Sequence, residues 1–179
     1  MGCIHFLLAE PWVPKGVSPG GGQSMLGDVL QESPMRVLVT GANGFVGGAV
    51  MSELLRRGIA RRGAIRKQAD VVSVGAQDLV VVGDVDAETD WSCALTDVDC
   101  VIHLVARTHV IDETASDPID QYRKVNVEGT RNLARQAARN GVRRFVYVSS
   151  VKAAGERTVG KALNETNSPW PEDAYGISK

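Results

Sequence analysis

The sequence predicts an α/β domain built on a doubly wound parallel sheet, and three observations carry that prediction. A short β-branched run, Met35–Val39, passes through a glycine-rich turn into a segment with helical periodicity. Strand-like and helix-like stretches then alternate along the chain, an order that calls for parallel strands joined by right-handed crossovers. At the far end, Tyr175 and Lys179 stand four residues apart, on one face of a helix.

The first strand is apolar throughout, as a strand buried on both faces of a sheet must be. The helix after it, expected over Phe45 to Arg57, shows its periodicity through Val46, Val50, Leu54 and Leu55, with Gly58 as its stop. Between them Gly41, Gly44 and Gly47, spaced GxxGxxG, allow a tight turn, close approach of backbone to a pyrophosphate and close contact of helix with strand. The free N–H groups and positive dipole end of the helix then favour phosphate, so this strand–turn–helix reads as a dinucleotide site. Further strands are expected near Ala64–Arg66, Leu79–Val82, Cys100–Leu104 and Phe145–Ser149. The second is the hardest to place, because ARRGAIRK is basic and contains Gly63. A long helix is expected over Pro118 to Asn140, with Tyr122, Val125, Leu133 and Ala137 on its buried side and Asn140-Gly141 as its end.

Composition narrows the function classes. The 179 residues are 44% hydrophobic with a net charge of −1, so a core can form and neither a nucleic acid nor a membrane surface is implied as a partner. Cys3, Cys93 and Cys100 show no CxxC spacing and read as reduced thiols of a cytoplasmic protein; His5, His103 and His109 do not form a metal-ligand cluster. No apolar run approaches the roughly 18 residues that a membrane-spanning helix requires. Residues 1–34, with Pro11, Pro14, Pro19 and the run Gly20–Gly22, break any pattern and read as a disordered leader or an overlong gene start ahead of Met25 or Met35. Met-Gly-Cys hints at lipidation, but Phe6 stands where the myristoylation pattern wants serine or threonine.

The Tyr175/Lys179 pair has its own chemistry. An unperturbed phenol, with a pKa of about 10, is a poor base at neutral pH, and an adjacent ammonium favours its ionised form. At the end of the second strand, about 20 residues after the glycine turn, a carboxylate would hold the ribose 2′-hydroxyl of NAD, whereas an arginine accommodates the 2′-phosphate of NADP. That place carries Arg66 and Lys67, with no carboxylate before Asp70, which slightly favours NADP; a solvated basic strand end is the alternative.

With both ends read, the chain resembles the N-terminal part of an extended short-chain dehydrogenase/reductase, the NAD-dependent epimerase/dehydratase family of nucleotide-sugar enzymes. The resemblance runs from about Met35 to Lys179 through TGANGFVGG, Gly83-Asp84-Val85, His103-Leu104-Val105-Ala106, Asn126-Val127-Glu128-Gly129-Thr130, Val148-Ser149-Ser150 and Tyr175–Lys179. It implies a Rossmann-like fold over 35–179 that stops before a C-terminal substrate-binding lobe, cut within the catalytic helix, so that this chain alone is expected to be inactive. It places Asn43, Gly44, Phe45 and Val46 at the phosphates with Gly41 and Gly47, and Asp84 and Val85 beside the adenine. Leu104, Val105 and Ala106 would line the cofactor groove, and Ser150, Tyr175 and Lys179 would form the catalytic set. Lys179 would also bind the nicotinamide ribose. Asn126 would brace Lys179 through water or, equally, satisfy nearby carbonyls; the Ser150 hydroxyl is also placed to cap backbone. The stretch from His103 to Asp117, with SSVKAAGE from Ser149, looks closest to bacterial enzymes acting on UDP-N-acetyl sugars in surface-polysaccharide synthesis.

The implied activity is hydride transfer between NAD(P) and a UDP-sugar, as a 4-keto reductase or a 4-epimerase, with a homodimer expected at full length. Two other classes stay open: an inactive truncated fragment, and a non-catalytic NAD(P)-binding or redox-sensing module.

Overall fold

The structure, a computed structural model, describes residues 35–68, 78–108, 118–158, 160 and 162–179. The expected leader, Asp70, and His109 to Asp117 of the polysaccharide-enzyme phrase lie outside the described residues.

Five strands form one parallel sheet in the order β3-β2-β1-β4-β5. They are β1 (Arg36–Thr40), β2 (Ala60–Ile65), β3 (Leu79–Val81), β4 (Cys100–His103) and β5 (Arg144–Tyr147). The order reverses about β1, so the chain winds outward first through β2 and β3, then through β4 and β5. Strand period 2 divides β1 between two cores. Val37 and Val39 pack with Met51 and Leu54 of α1 (Phe45–Arg56), whereas Leu38 packs on the opposite face with Trp91, Val101, Leu133 and Ala137. Leu133 and Ala137 belong to α4 (Thr130–Arg139), which covers that second face. The short helix α2 (Ser92–Leu95) adds Ala94 and Leu95 to the same core.

Two departures from the sequence reading have clear physical causes. β2 begins at Ala60, not Ala64, and ends before Arg66. Its basic residues are compatible with a strand because Arg62 runs off the sheet to bond the Asp78 carboxylate and the carbonyls of Cys93, Ala94 and Thr96. Gly63 is needed there, since a Cβ would come within 2.6 Å of Leu79 and 2.8 Å of Ala42. The expected helix Pro118–Asn140 is also not one α-helix: α3 (Pro118–Arg123) passes through a π-helical turn (Lys124–Gly129) into α4. The wider turn shifts the helical phase, so Asn126 and Gly129 are buried and Val125 is only half-buried. Gly129 fits because α4 lies against the Val85 loop, where a Cβ would stand 2.7 Å from the Val85 side chain.

Two further short helices, α5 (Val151–Ala154) and α6 (Ala174–Ser178), follow β5 and pack against each other. Among the described residues, no helix is long and apolar enough to cross a membrane.

Candidate cofactor and catalytic site

Parallel register brings the candidate residues to one edge. Thr40 is aligned with Ala64 of β2 and His103 of β4, and His103 with Tyr147 of β5, so the loops after these strands open side by side. They border a cleft of about 400 Å³ whose lining includes Gly41, Asn43, Arg66, Asp84, Val85, Val105 and Ala106, together with Arg107, Gln121 and Lys124.

The glycine turn is set by backbone contacts. Gly41 has φ +67°, a conformation other residues rarely adopt, and its N–H donates to the Ala64 carbonyl at 3.1 Å. Gly44 donates to the Gly41 carbonyl at 2.9 Å and stands as the N-cap of α1. A Cβ on Gly47 would lie 2.0 Å from the Gly41 oxygen, so helix and turn meet there as backbone on backbone. The N–H groups of Phe45, Val46 and Gly47 precede the first intrahelical bond, which Gly48 makes to Gly44. Phe45 is 99% exposed and Val46 partly so; these residues supply backbone, not packing.

Beneath the turn lies a buried polar chain. The Thr40 hydroxyl oxygen accepts from the N–H groups of Leu104 and Val105, at 3.1 and 3.3 Å. Its one proton therefore goes to His103 Nδ1 at 2.8 Å, which leaves the imidazole proton on Nε2 to be donated to Thr130 at 3.0 Å. Burial, with the Lys179 ammonium nearby, pushes the His103 pKa down to about 3, so the ring is neutral. Leu104 turns into the α1-side core, while Val105 and Ala106 face the cleft.

Arg66 lines the cleft with its guanidinium 3.7 Å from the Asp84 carboxylate, and Lys67 follows outside the lining. Lys124 and Asp86 make a similar pair at 3.6 Å.

The catalytic candidates occupy the β5 side. Ser150 is the N-cap of α5 and accepts from the Lys152 N–H at 3.3 Å, so its hydroxyl caps backbone here. Lys179 donates to the Val148 carbonyl at 2.8 Å and sits 4.4 Å above the Tyr147 ring. Burial lowers its pKa to about 8. The Tyr147 phenol is pushed up to about 12 by burial and by Tyr175. Tyr175 packs at 6.2 Å, tilted, on the ring of Tyr122. Asn126, 2% exposed, accepts from the Arg107 N–H and donates to the Arg107 carbonyl and to the Ser178 hydroxyl, at 2.7, 3.0 and 2.8 Å. It thus ties the cleft loop directly to α6, through Ser178.

Sequence reasoning missed the residues that seat α6. The Asp173 carboxylate caps the helix by accepting from Gly176 N–H at 2.6 Å, and Lys152 of α5, which also pairs with Glu156 at 3.2 Å, holds its other oxygen. An aspartate three residues before a helical N–H is a readable capping signal. Gly176 lets α6 sit directly on α5: a Cβ there would be 2.6 Å from the Lys152 carbonyl.

Residues 37–179 match a model of the NAD dependent epimerase/dehydratase family. The chain belongs to that family. It is 39% identical over 153 residues to a UDP-glucose 4-epimerase of Vibrio cholerae, covering 83% of this chain and 45% of that protein. A 3-beta-hydroxysteroid dehydrogenase of Mycolicibacterium neoaurum is 37% identical over 120 residues, or 64% of this chain and 32% of the relative. Among solved structures, a short-chain dehydrogenase/reductase superfamily protein of Agrobacterium tumefaciens with bound NAD superposes with a TM-score of 0.63 at 35% identity, over 80% of this chain and 42% of that one. A UDP-glucuronic acid 4-epimerase of Bacillus cereus in complex with NAD gives 0.65 at 25% identity, over 81% and 49%. The chain thus spans less than half the length of each of these proteins.

Proposed function

We propose that the chain carries the cofactor-binding and proton-transfer half of a nucleotide-sugar oxidoreductase or epimerase, working by hydride transfer between NAD(P) and a UDP-sugar. The observation that carries this is convergence: the glycine turn after β1 and the Ser150, Tyr175 and Lys179 positions after β5 open at the same edge of one sheet. The cradle suits a dinucleotide, because Gly41 and Gly47 leave backbone alone at the N-terminus of α1 and the cleft runs from there to Asp84 and Val85. The Vibrio and Bacillus 4-epimerases support a UDP-sugar over the sterol of the dehydrogenase relative, as does the stretch from Ser149 to Glu156.

NAD(P), when bound, supplies or takes the hydride. Tyr175 gives a proton to the sugar oxygen as a ketone is reduced and removes it as the carbinol is oxidised. Ser150 turns its hydroxyl from the Lys152 N–H to that oxygen, and Lys179 turns from the Val148 carbonyl toward the phenol, where its charge favours phenolate. Arg66 and Lys67 support acceptance of the 2′-phosphate of NADP, and the nearby Asp84 carboxylate opposes it.

The test is NADH and NADPH binding to the chain, followed by turnover of UDP-hexoses, UDP-N-acetylhexosamines and their 4-keto derivatives by a protein extended through the C-terminal part that its relatives have, with Tyr175→Phe in the same extended protein as the control. The expected result is cofactor binding in both proteins and turnover only with tyrosine present. Binding without turnover in either would favour the non-catalytic module, and failure to bind either cofactor would overturn the reading. Arg66→Asp should lower the affinity for NADPH relative to NADH.

A further inference from the structure

We propose that Ser178 is a positioning residue through which a ligand in the cofactor cleft steadies Tyr175; the proposal rests on the reading of cleft and proton donor given above. Ser178 is 5% exposed, and its hydroxyl stands between two partners. The Asn126 amide donates to it at 2.8 Å, from 52 residues away in sequence. Both amide protons of Asn126 are thereby used, the other going to the Arg107 carbonyl at 3.0 Å. The single hydroxyl proton of Ser178 is left for the Tyr175 carbonyl, at 2.7 Å. A serine that donates back one turn within a helix is ordinary. One that also accepts from a buried amide bound to a cleft-lining residue completes a continuous chain, from the peptide of Arg107 through Asn126 and Ser178 to the backbone of Tyr175.

The helix that carries Tyr175 needs such support. α6 has five residues, far fewer than the roughly 12 that an isolated helix needs for marginal stability, so its contacts decide whether it is seated or open. Two of those contacts reach the same loop after β4. Ser178 reaches Arg107 by the polar chain, and the Tyr175 ring packs at 6.2 Å on Tyr122, whose hydroxyl donates to the Thr108 carbonyl at 3.1 Å. Val105, Ala106 and Arg107 of that loop line the cleft, so a ligand packed there restrains the loop and with it the seat of α6. By linkage, the seated helix holds the ligand more tightly by the same factor. The contacts of α6 with α5, through Asp173 and Lys152, lie outside the cleft lining and steady the helix alike with the cleft filled or empty.

The experiment measures amide exchange of Ile177, whose N–H is bonded to the Asp173 carbonyl within α6, with and without ADP. ADP lacks the nicotinamide and its ribose, so direct contact of those groups with Tyr175 or Lys179 plays no part. Saturating ADP should slow Ile177 exchange about fivefold to tenfold in the unmutated chain and less than about twofold in Ser178→Ala, once melting shows that the variant folds. Ser178→Cys, close in shape but a weak donor and acceptor, carries the same expectation where the alanine chain does not fold. Asp173→Ala is the control for a merely structural part: it should exchange faster at Ile177 yet keep the full ADP effect. Equal slowing in the unmutated and Ser178-substituted chains would overturn the proposal, as would ADP that binds the unmutated chain without slowing Ile177. A chain that binds neither ADP nor NADH would instead overturn the dinucleotide reading itself.

Discussion

The glycine turn and the candidate catalytic edge beside β5 lie at the same end of the same sheet, yet they are built differently. The turn is made of backbone: Gly41, Gly44 and Gly47 contact one another and the Ala64 carbonyl, and all of these residues lie close together in sequence or in register. The catalytic edge is made of side-chain bonds over long separations, from Asn126 to Ser178, from Lys152 to Asp173 and from Lys179 to the Val148 carbonyl. Backbone contacts with no room for a Cβ tolerate no substitution, whereas a web of side-chain bonds, of which those from Lys152 and Lys179 are only half-buried, loses one of these members at a modest cost. The glycine turn should therefore fail all at once and the candidate catalytic edge by degrees.

The harshest way to test this contrast is Gly47→Val. Its Cβ would have to occupy space 2.0 Å from the Gly41 oxygen, so α1 must move off the turn. The expected loss is about 3 kcal/mol or more, with cofactor binding abolished, read by denaturant unfolding and NADH titration. A stable Gly47→Val protein that still binds NADH would break the comparison.

Acid titration probes the buried chain beneath the turn. Folding holds the His103 pKa down at about 3 against an ordinary 6.5, so the unfolded state binds a proton in this window that the folded state does not. Stability should accordingly rise with pH between about 3 and 6.5 and be level in this respect above it, with a slope near 1.4 kcal/mol per pH unit at most. Melting of the chain and of His103→Gln across pH 4 to 8 measures it: the variant should be less stable at neutral pH and show a shallower acid slope. Equal slopes would mean that His103 does not titrate with unfolding.

The smallest effect belongs to the catalytic edge. Asp173→Ala removes the cap of α6 and one partner of Lys152, at an expected cost of about 1 kcal/mol. Amide exchange should quicken at Gly176 and Ile177 while the Gly41 and Gly44 amides keep their protection. A global loss as large as that of Gly47→Val would mean that the two regions are not built differently after all.

How much was legible follows the same division. Gly41, Gly44 and Gly47 announced the turn because glycine spacing is a local record of backbone geometry. β1, β3, β4 and α1 were found within a residue or two, since each carries an apolar pattern of its own. β2 was shortened in the reading because Arg61 and Arg62 mask it, and nothing in their neighbourhood shows that Asp78 and three distant carbonyls receive Arg62. The π-helical turn was not legible at all. It exists because Asn126 must reach Arg107 and Ser178 together while Gly129 meets Val85, requirements that come from three other parts of the chain.

By itself, then, the sequence determined the parallel α/β architecture and the glycine turn, and marked Ser150, Tyr175 and Lys179 as catalytic candidates, because periodicity, glycine placement and short motifs are local properties. Tertiary structure alone decided that Ser150 caps α5, that Asn126 ties the cleft loop to α6 and that Arg107 lies over Tyr122 at the cleft. Each of these depends on which distant group supplies a bonding or stacking partner, and that is fixed only when the strands align in register and bring their ends together.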